Sequence, residues 1–225
     1  MSETAPRNIL ERYKAHDYTL HRYIAGRAAA GPARPFLVYG DRTWSWGGFY
    51  EETERVARVL LDRRVARGDR IAIVAENSAA HVLLLFAVAR IGAVLVPVNP
   101  QLGIAELRYV LEHAGVTGVA CSAATRDIAV EACSGLESAP WFVMVDGAVA
   151  DMPALADLAP STPQAVLPAE TTADDTCVII YSSGTTGFPK GVMYSQRNFL
   201  LAGEVHLERT HLQPDERVLC MLPLY

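Results

Sequence analysis

At 225 residues, 51% hydrophobic, 20% charged and 8% aromatic, the chain has the composition of a folded globular protein, not of a disordered one. Its net charge of −5 supplies no basic field for a nucleic-acid partner. The N-terminus is polar and charged, without the apolar core of a signal peptide. The longest apolar stretch, AAHVLLLFAVARIGAVLVPV, is broken by His81, Arg90, Gly92 and Pro97, so each piece is too short to span a bilayer. No membrane span is expected.

The elements alternate. Asp17 to Ala30 reads as a helix stopped by Gly31-Pro32. FLVYGDRTWSW reads as two strands turning at Gly40-Asp41. From Trp46 to Arg64 the spacing of Phe49, Thr53, Val56, Val59 and Leu60 is that of an amphipathic helix. RIAIVA is a short β-branched strand. Asn77 can cap the next helix, and Ala79 to Ala89 is apolar nearly all round, which requires burial on both faces.

VLVPV continues as a strand, Ile104 to His113 as a helix, VTGVACS as a strand, Thr125 to Cys133 as a helix and WFVMV as a strand. Residues 146–175 interrupt this rhythm with Pro153, Pro160, Pro163 and Pro168, and are expected to form a long surface connection and a possible subdomain break. CVIIY, a helix from Ser195 to Thr210 and a last strand, RVLCML, complete the reading. Strand and helix alternating at this spacing predict an α/β fold: a layered, mostly parallel sheet flanked by helices.

Four cysteines, Cys121, Cys133, Cys177 and Cys220, show no metal-ligand spacing and no CxxC pair. Cys177 and Cys220 sit in apolar runs and read as small core residues, in keeping with a reducing cytoplasm. His16, His21, His81, His113, His206 and His211 are unclustered, and no metal site is expected from them. Asp174-Asp175 and Glu51-Glu52 read as an element entrance and a solvated face, and Arg55, Arg58, Arg63, Arg64 and Arg67 as a solvated basic helix face.

The informative string is Tyr181 to Gly191, YSSGTTGFPKG, directly after the apolar strand. Gly184 and Gly187 let backbone N–H groups approach a ligand. Ser182, Ser183, Thr185 and Thr186 add hydroxyl donors, and Lys190 a point positive charge. Such an array of donors suits a polyphosphate. A plain polar turn uses the same residue types, but not in so long a string after a buried strand. Neither the Walker G-x-x-x-x-G-K-[ST] nor the dinucleotide G-x-G-x-x-G pattern is present.

SSGTTGFPKGVM followed by S-Q-R-N resembles the signature loop of the adenylate-forming, AMP-binding superfamily, which includes acyl- and aryl-CoA synthetases, firefly-type luciferases and peptide-synthetase adenylation domains. The segments RIGAVLVPVNPQLGIAELRYVLEHAG and GDRTWSWGGFYEETERVARVLLDRRVARGDRIAIVAENS resemble the same enzymes upstream of the loop. The resemblance covers nearly the whole chain, and its style is closest to fatty-acid and aryl CoA ligases.

The resemblance implies the N-terminal part of an adenylation domain over residues 1–225, with the C-terminal domain absent. It implies ATP-binding residues Ser182, Ser183, Gly184, Thr185, Thr186, Gly187 and Lys190, no metal ligand, and no catalytic residue within this chain. It further implies ATP, Mg2+ and CoA as reactants with a small carboxylate, in a cytoplasmic ligase of fatty acid metabolism that forms an acyl-adenylate and then a thioester. Loading of a carrier protein, a luciferase-like reaction, and a non-catalytic nucleotide-binding fragment stay open beside it.

Two departures stand out. Gln196 occupies a position where members commonly have histidine, which predicts a tuned site. The sequence ends at Leu222-Pro-Leu-Tyr225, where members continue into the adenine and acyl pockets and the catalytic lysine, so this polypeptide alone is not expected to complete the reaction.

Overall fold

A computed structural model describes residues 19–149, 151–162, 167, 171–182, 189–213 and 216–225. Its elements are helix α1 (Leu20–Ala30), strands β1 (Pro35–Tyr39) and β2 (Arg42–Ser45), α2 (Trp46–Asp62), β3 (Arg70–Val74), α3 (Ala79–Ile91), β4 (Val94–Val98), α4 (Ile104–Ala114), β5 (Val116–Cys121), α5 (Arg126–Cys133), β6 (Trp141–Met144), β7 (Thr176–Ser182), β8 (Lys190–Ser195) and α6 (Gln196–Thr210). Strands β1 and β2 form an antiparallel hairpin turning at Gly40. The others form one six-stranded sheet in the order β6-β5-β3-β4-β7-β8. It is parallel throughout except at β8, which returns antiparallel to β7.

The strand sequences account for this. β3 and β4 carry almost no polar side chains and are buried on both faces, as parallel strands between helix layers must be. Their side chains alternate between two cores. Ile71, Ile73 and Leu95 face a cluster with Leu20, Ile24, Phe49, Leu60 and Leu84 from α1, α2 and α3. Ala72, Val74, Val96 and Val98 face Leu107, Val110 and Leu111 of α4 and Ala129 and Ala132 of α5. A period of two sends neighbours to opposite faces. α3 lies where its apolar circumference requires, with Leu83 to Ala89 buried. Gly92 ends α3 and Gly115 ends α4, each in the left-handed conformation that only glycine adopts cheaply.

β4 is unusual in carrying Pro97, buried, opposite Ile73. Proline cannot donate to a ladder. The register between β4 and β7 is limited to Leu95 and Val178.

The chain leaves β3 toward α3 on one face and β4 toward α4 on the other. That reversal creates a crevice at the carboxyl ends of the strands, the usual place for ligands in open α/β sheets. β7 runs parallel to β4, so its carboxyl end at Ser182 lies on the same edge.

Several expectations are corrected. RVLCML forms no strand: residues 216–225 are irregular, and Val218, Leu219, Met221 and Leu222 are exposed, as is Cys220. A strand needs a partner ladder, whereas this segment is tied by side chains, those of Asn77 and of Glu76, which hydrogen-bonds Tyr225. Asn77 Nδ2 donates to the Leu222 carbonyl and Asn77 Oδ1 accepts from the Leu224 amide, both at 2.8 Å. Asn77 is therefore no helix cap, and α3 starts after Ser78 instead. Residues 190–195, unassigned in the sequence, form β8.

The described part of 146–175 is not wholly superficial, since Met152, Ala154 and Leu155 are buried and Met144 bridges Ala154. Arg55 is not a solvated charge, because its guanidinium donates to the carbonyls of Leu155 (3.3 Å) and Leu158. Glu52 is likewise engaged, accepting from Trp44 Nε1 at 2.6 Å and Arg42 at 2.7 Å.

Candidate functional site

The site grows from the β7–β8 hairpin. Ile179 registers with Met193, Tyr181 with Gly191, and Ser182 with Lys190. The ladder thus closes a stem at Ser182 and Lys190, the described residues on either side of 183–188. Of the expected phosphate-binding residues, Ser182 and Lys190 stand opposite each other at the neck of the loop, both exposed. Ser183, Gly184, Thr185, Thr186 and Gly187 lie outside the described residues. Among the described residues Lys190 forms no ion pair.

A Cβ on Gly191 would approach Ile179 Cγ2 to 2.8 Å and the Tyr181 ring to 3.1 Å. Gly191 thus serves the stem, by letting the Tyr181 ring lie across the returning strand.

Helix α4 supplies the support beneath the stem. His113 Nδ1 lies 2.7 Å from the Tyr181 hydroxyl, and the two rings meet edge to face at 5.8 Å. Tyr109 stacks on His113 at 5.4 Å, and its hydroxyl donates to the Pro189 carbonyl at 3.4 Å. Burial, and secondarily the neighbouring Tyr109, raises the pKa of Tyr181, so its hydroxyl stays protonated. Sequence reasoning missed Tyr109, gave Tyr181 no role beyond opening the string, and considered His113 only as a metal ligand. The available signal was the i, i+4 spacing of Tyr109 and His113, which sets them on one helix face.

Gln196 does not belong to this neighbourhood. It follows β8 at the end where Ser195 registers with Thr176, six residues along β7 from Ser182. At ~3.3 Å per residue that separates it from Ser182 by roughly 20 Å. Gln196 is fully buried; its Oε1 accepts from the Leu20 amide at 2.8 Å and its Nε2 donates to Thr171 Oγ1 at 2.9 Å. The expected tuning of the site is replaced by a structural tie.

Beside the stem, an apolar cavity of about 340 Å³ is lined by His81, Phe86, Pro97, Ile180, Phe199 and Leu224, among others. His81 is 3% exposed. Its Nδ1 lies 3.3 Å from Ser78 Oγ, and its Nε2 has no partner among the described residues. Burial lowers its pKa to about 4, so the ring is neutral at physiological pH.

Among the described residues, no three His, Cys, Asp or Glu side chains are grouped to hold a metal ion. Nor is any helix among them long and apolar enough to cross a membrane.

Residues 24–225 match the family of AMP-binding enzymes. Over 215 residues the chain is 34% identical to the sulfoacetate–CoA ligase of Cupriavidus necator, covering 92% of this chain and 40% of that protein. Over 200 residues it is 30% identical to a feruloyl-CoA synthase of an Amycolatopsis species, covering 88% and 38%. A solved structure from Rhodopseudomonas palustris, provisionally assigned as a long-chain-fatty-acid CoA ligase, superposes with a TM-score of 0.84 at 31% identity. That superposition covers 94% of this chain and 53% of that one. The chain therefore spans about two fifths of the length of these curated relatives. The parallel sheet, the hydroxyl- and glycine-rich string at the end of β7 and a family match over nine tenths of the sequence lead to one conclusion: this chain belongs to the AMP-binding enzyme family.

Proposed function

We propose that this chain carries the phosphate-handling part of an ATP-dependent acid–thiol ligase, which converts a carboxylic acid, a fatty acid foremost, to an acyl-adenylate and then to a CoA thioester. The observation that carries this reading is the neck of the loop, where Ser182 and Lys190 are held opposite each other with the string SGTTGF between them. The relatives named as sulfoacetate and feruloyl ligases support the acid–thiol class.

In the first half-reaction a carboxylate oxygen attacks the α-phosphorus of ATP, and the bond to the β-phosphate breaks to release pyrophosphate. In the second, the CoA sulfur attacks the acyl carbon and AMP leaves. Negative charge grows on phosphoryl oxygens in the first step. The Lys190 ammonium, the Ser182 hydroxyl and the donors of Ser183, Gly184, Thr185, Thr186 and Gly187 are the groups assigned to meet it. Donors fixed before the reaction need no reorganisation as that charge develops. Mg2+ is assigned to the nucleotide, as MgATP. The three buried thiols, Cys121, Cys133 and Cys177, accord with a reducing cytoplasmic setting.

The test is carboxylate-dependent ATP–pyrophosphate exchange, run on this chain and on the product of its complete reading frame, with short to long fatty acids and aryl acids. Exchange stimulated by fatty acids supports the reading. Nucleotide binding without exchange by either polypeptide refutes it in favour of a nucleotide-binding fragment.

A further inference from the structure

We propose that Tyr109 and His113 of α4 are positioning residues that fix both feet of the phosphate loop, one through the Tyr181 hydroxyl and the other through the Pro189 carbonyl. The inference rests on the reading of residues 182–190 as a phosphate loop, and adds to it residues well outside the loop.

The need for such support follows from the topology. Among the described residues β8 is an edge strand of the sheet, paired with β7 alone. A ladder holds the two strands in the plane of the sheet, but leaves an edge hairpin free to twist out of that plane. Side chains from the layer beneath can remove this freedom, and α4 presents two of them one helical turn apart. His113 reaches the outgoing strand at Tyr181, the residue before Ser182. Tyr109 reaches the returning chain at Pro189, the residue before Lys190. The stacking of Tyr109 on His113 joins the two contacts into one unit.

Gly191 completes the arrangement. Without a Cβ there, the Tyr181 ring lies across the return strand and its hydroxyl points down to α4. The contacts are thus directed at the residues flanking the two described members of the site, one on each foot. Loop donors act on charge that develops in the transition state, and misplacing reacting groups by about 1 Å can cost on the order of 10²-fold in rate. Loosening the feet should therefore slow adenylation more than it weakens ATP binding.

The experiment is ATP–pyrophosphate exchange by the product of the complete reading frame, with kcat and the KM for ATP measured separately. Tyr181→Phe keeps the ring and removes the hydroxyl; His113→Ala removes its partner; His113→Asn keeps a hydrogen-bonding group near the Nδ1 position. One hydrogen bond corresponds to about a fivefold loss, so Tyr181→Phe and His113→Ala should each lower kcat by about that factor and change the KM for ATP less than about twofold. His113→Asn should recover most of the loss. The double variant should be no slower than either single one, because both remove the same bond.

Wild-type kcat in Tyr181→Phe and His113→Ala would overturn the proposal, as would fully multiplicative losses in the double variant. Equal losses in His113→Ala and His113→Asn would also overturn it, by showing that packing and not the hydrogen bond matters. A wild type that does not exchange at all would overturn the functional reading, and this assignment with it.

Discussion

The side-chain oxygen of Gln196 accepts the backbone N–H of Leu20 at 2.8 Å, a bond between residues 176 apart in the chain. Leu20 opens α1, and its amide is one of the first-turn donors that a helix cannot satisfy internally. The same amide group of Gln196 donates to Thr171, so one buried residue joins α1, the connection before β7 and the start of α6. Gln196→Ala leaves the Leu20 amide and the Thr171 hydroxyl buried without that partner. It should cost about 2–3 kcal/mol in urea denaturation. Gln196→His, which can keep one acceptor and one donor when neutral, should lose less than half as much.

His81 makes the fold sensitive to acid. Its folded pKa, about 4, lies below the ordinary value of 6.5 because burial penalises the charged ring. At pH 7 the ring is neutral in the folded protein and largely neutral in the unfolded chain, so the effect is small. As pH falls from 6.5 towards 4 the unfolded chain takes up a proton that the folded chain refuses, and stability falls by on the order of 3 kcal/mol before levelling off. His81→Phe should flatten this part of a stability–pH curve relative to wild type. An unchanged slope between pH 6.5 and 4 would show that the ring is charged in the folded protein.

Lys190 stands opposite Ser182 without an ion-pair partner among the described residues. Under the proposed function, Lys190→Ala should lower the rate of ATP–pyrophosphate exchange by about 10²-fold. The KM for the carboxylic acid should move far less, since the acid does not meet this side chain. Stopped-flow measurement of adenylate formation separates the two effects.

Gly118 on β5 packs against the indole of Trp141 so closely that a Cβ there would overlap the ring. Gly118→Ala must push Trp141 outward, away from the Arg63 guanidinium stacked 5.1 Å from it. The expected cost is about 1–3 kcal/mol, read as a lower melting temperature together with a shifted tryptophan emission. Trp141→Leu in the same background should restore part of the loss.

Much of this architecture was legible in the chain. The unbroken apolarity of Leu83 to Ala89 dictated a helix buried on all sides, and His81, two residues before that run, is buried with it. β3 and β4 declared a parallel interior by lacking polar side chains. The failures were non-local. Val218, Leu219 and Met221 have strand-forming character, but a strand exists only where another strand offers its edge, and Asn77 holds this segment instead. β8 was hidden because Lys190 and Gly191 read as the tail of the phosphate loop, whereas Ser182 and Tyr181 pair with them in the ladder. The chemistry of Ser182 and Lys190 could be read from residue types alone. That Tyr109 and His113 stand under Tyr181 could not, since α4 and β7 are brought together only by the completed sheet.

Pro97 gains meaning from the order in which the strands are made. β4 is interior in the finished sheet, yet its outer neighbour β7 is more than seventy residues later in the sequence. Until the ribosome has delivered β7, the strands β3 to β6 can assemble with β4 as a bare, wholly apolar edge. Such an edge invites another nascent chain to add to it. Pro97 has no N–H to offer a strand added there, and even β7 registers with β4 only at Leu95 and Val178.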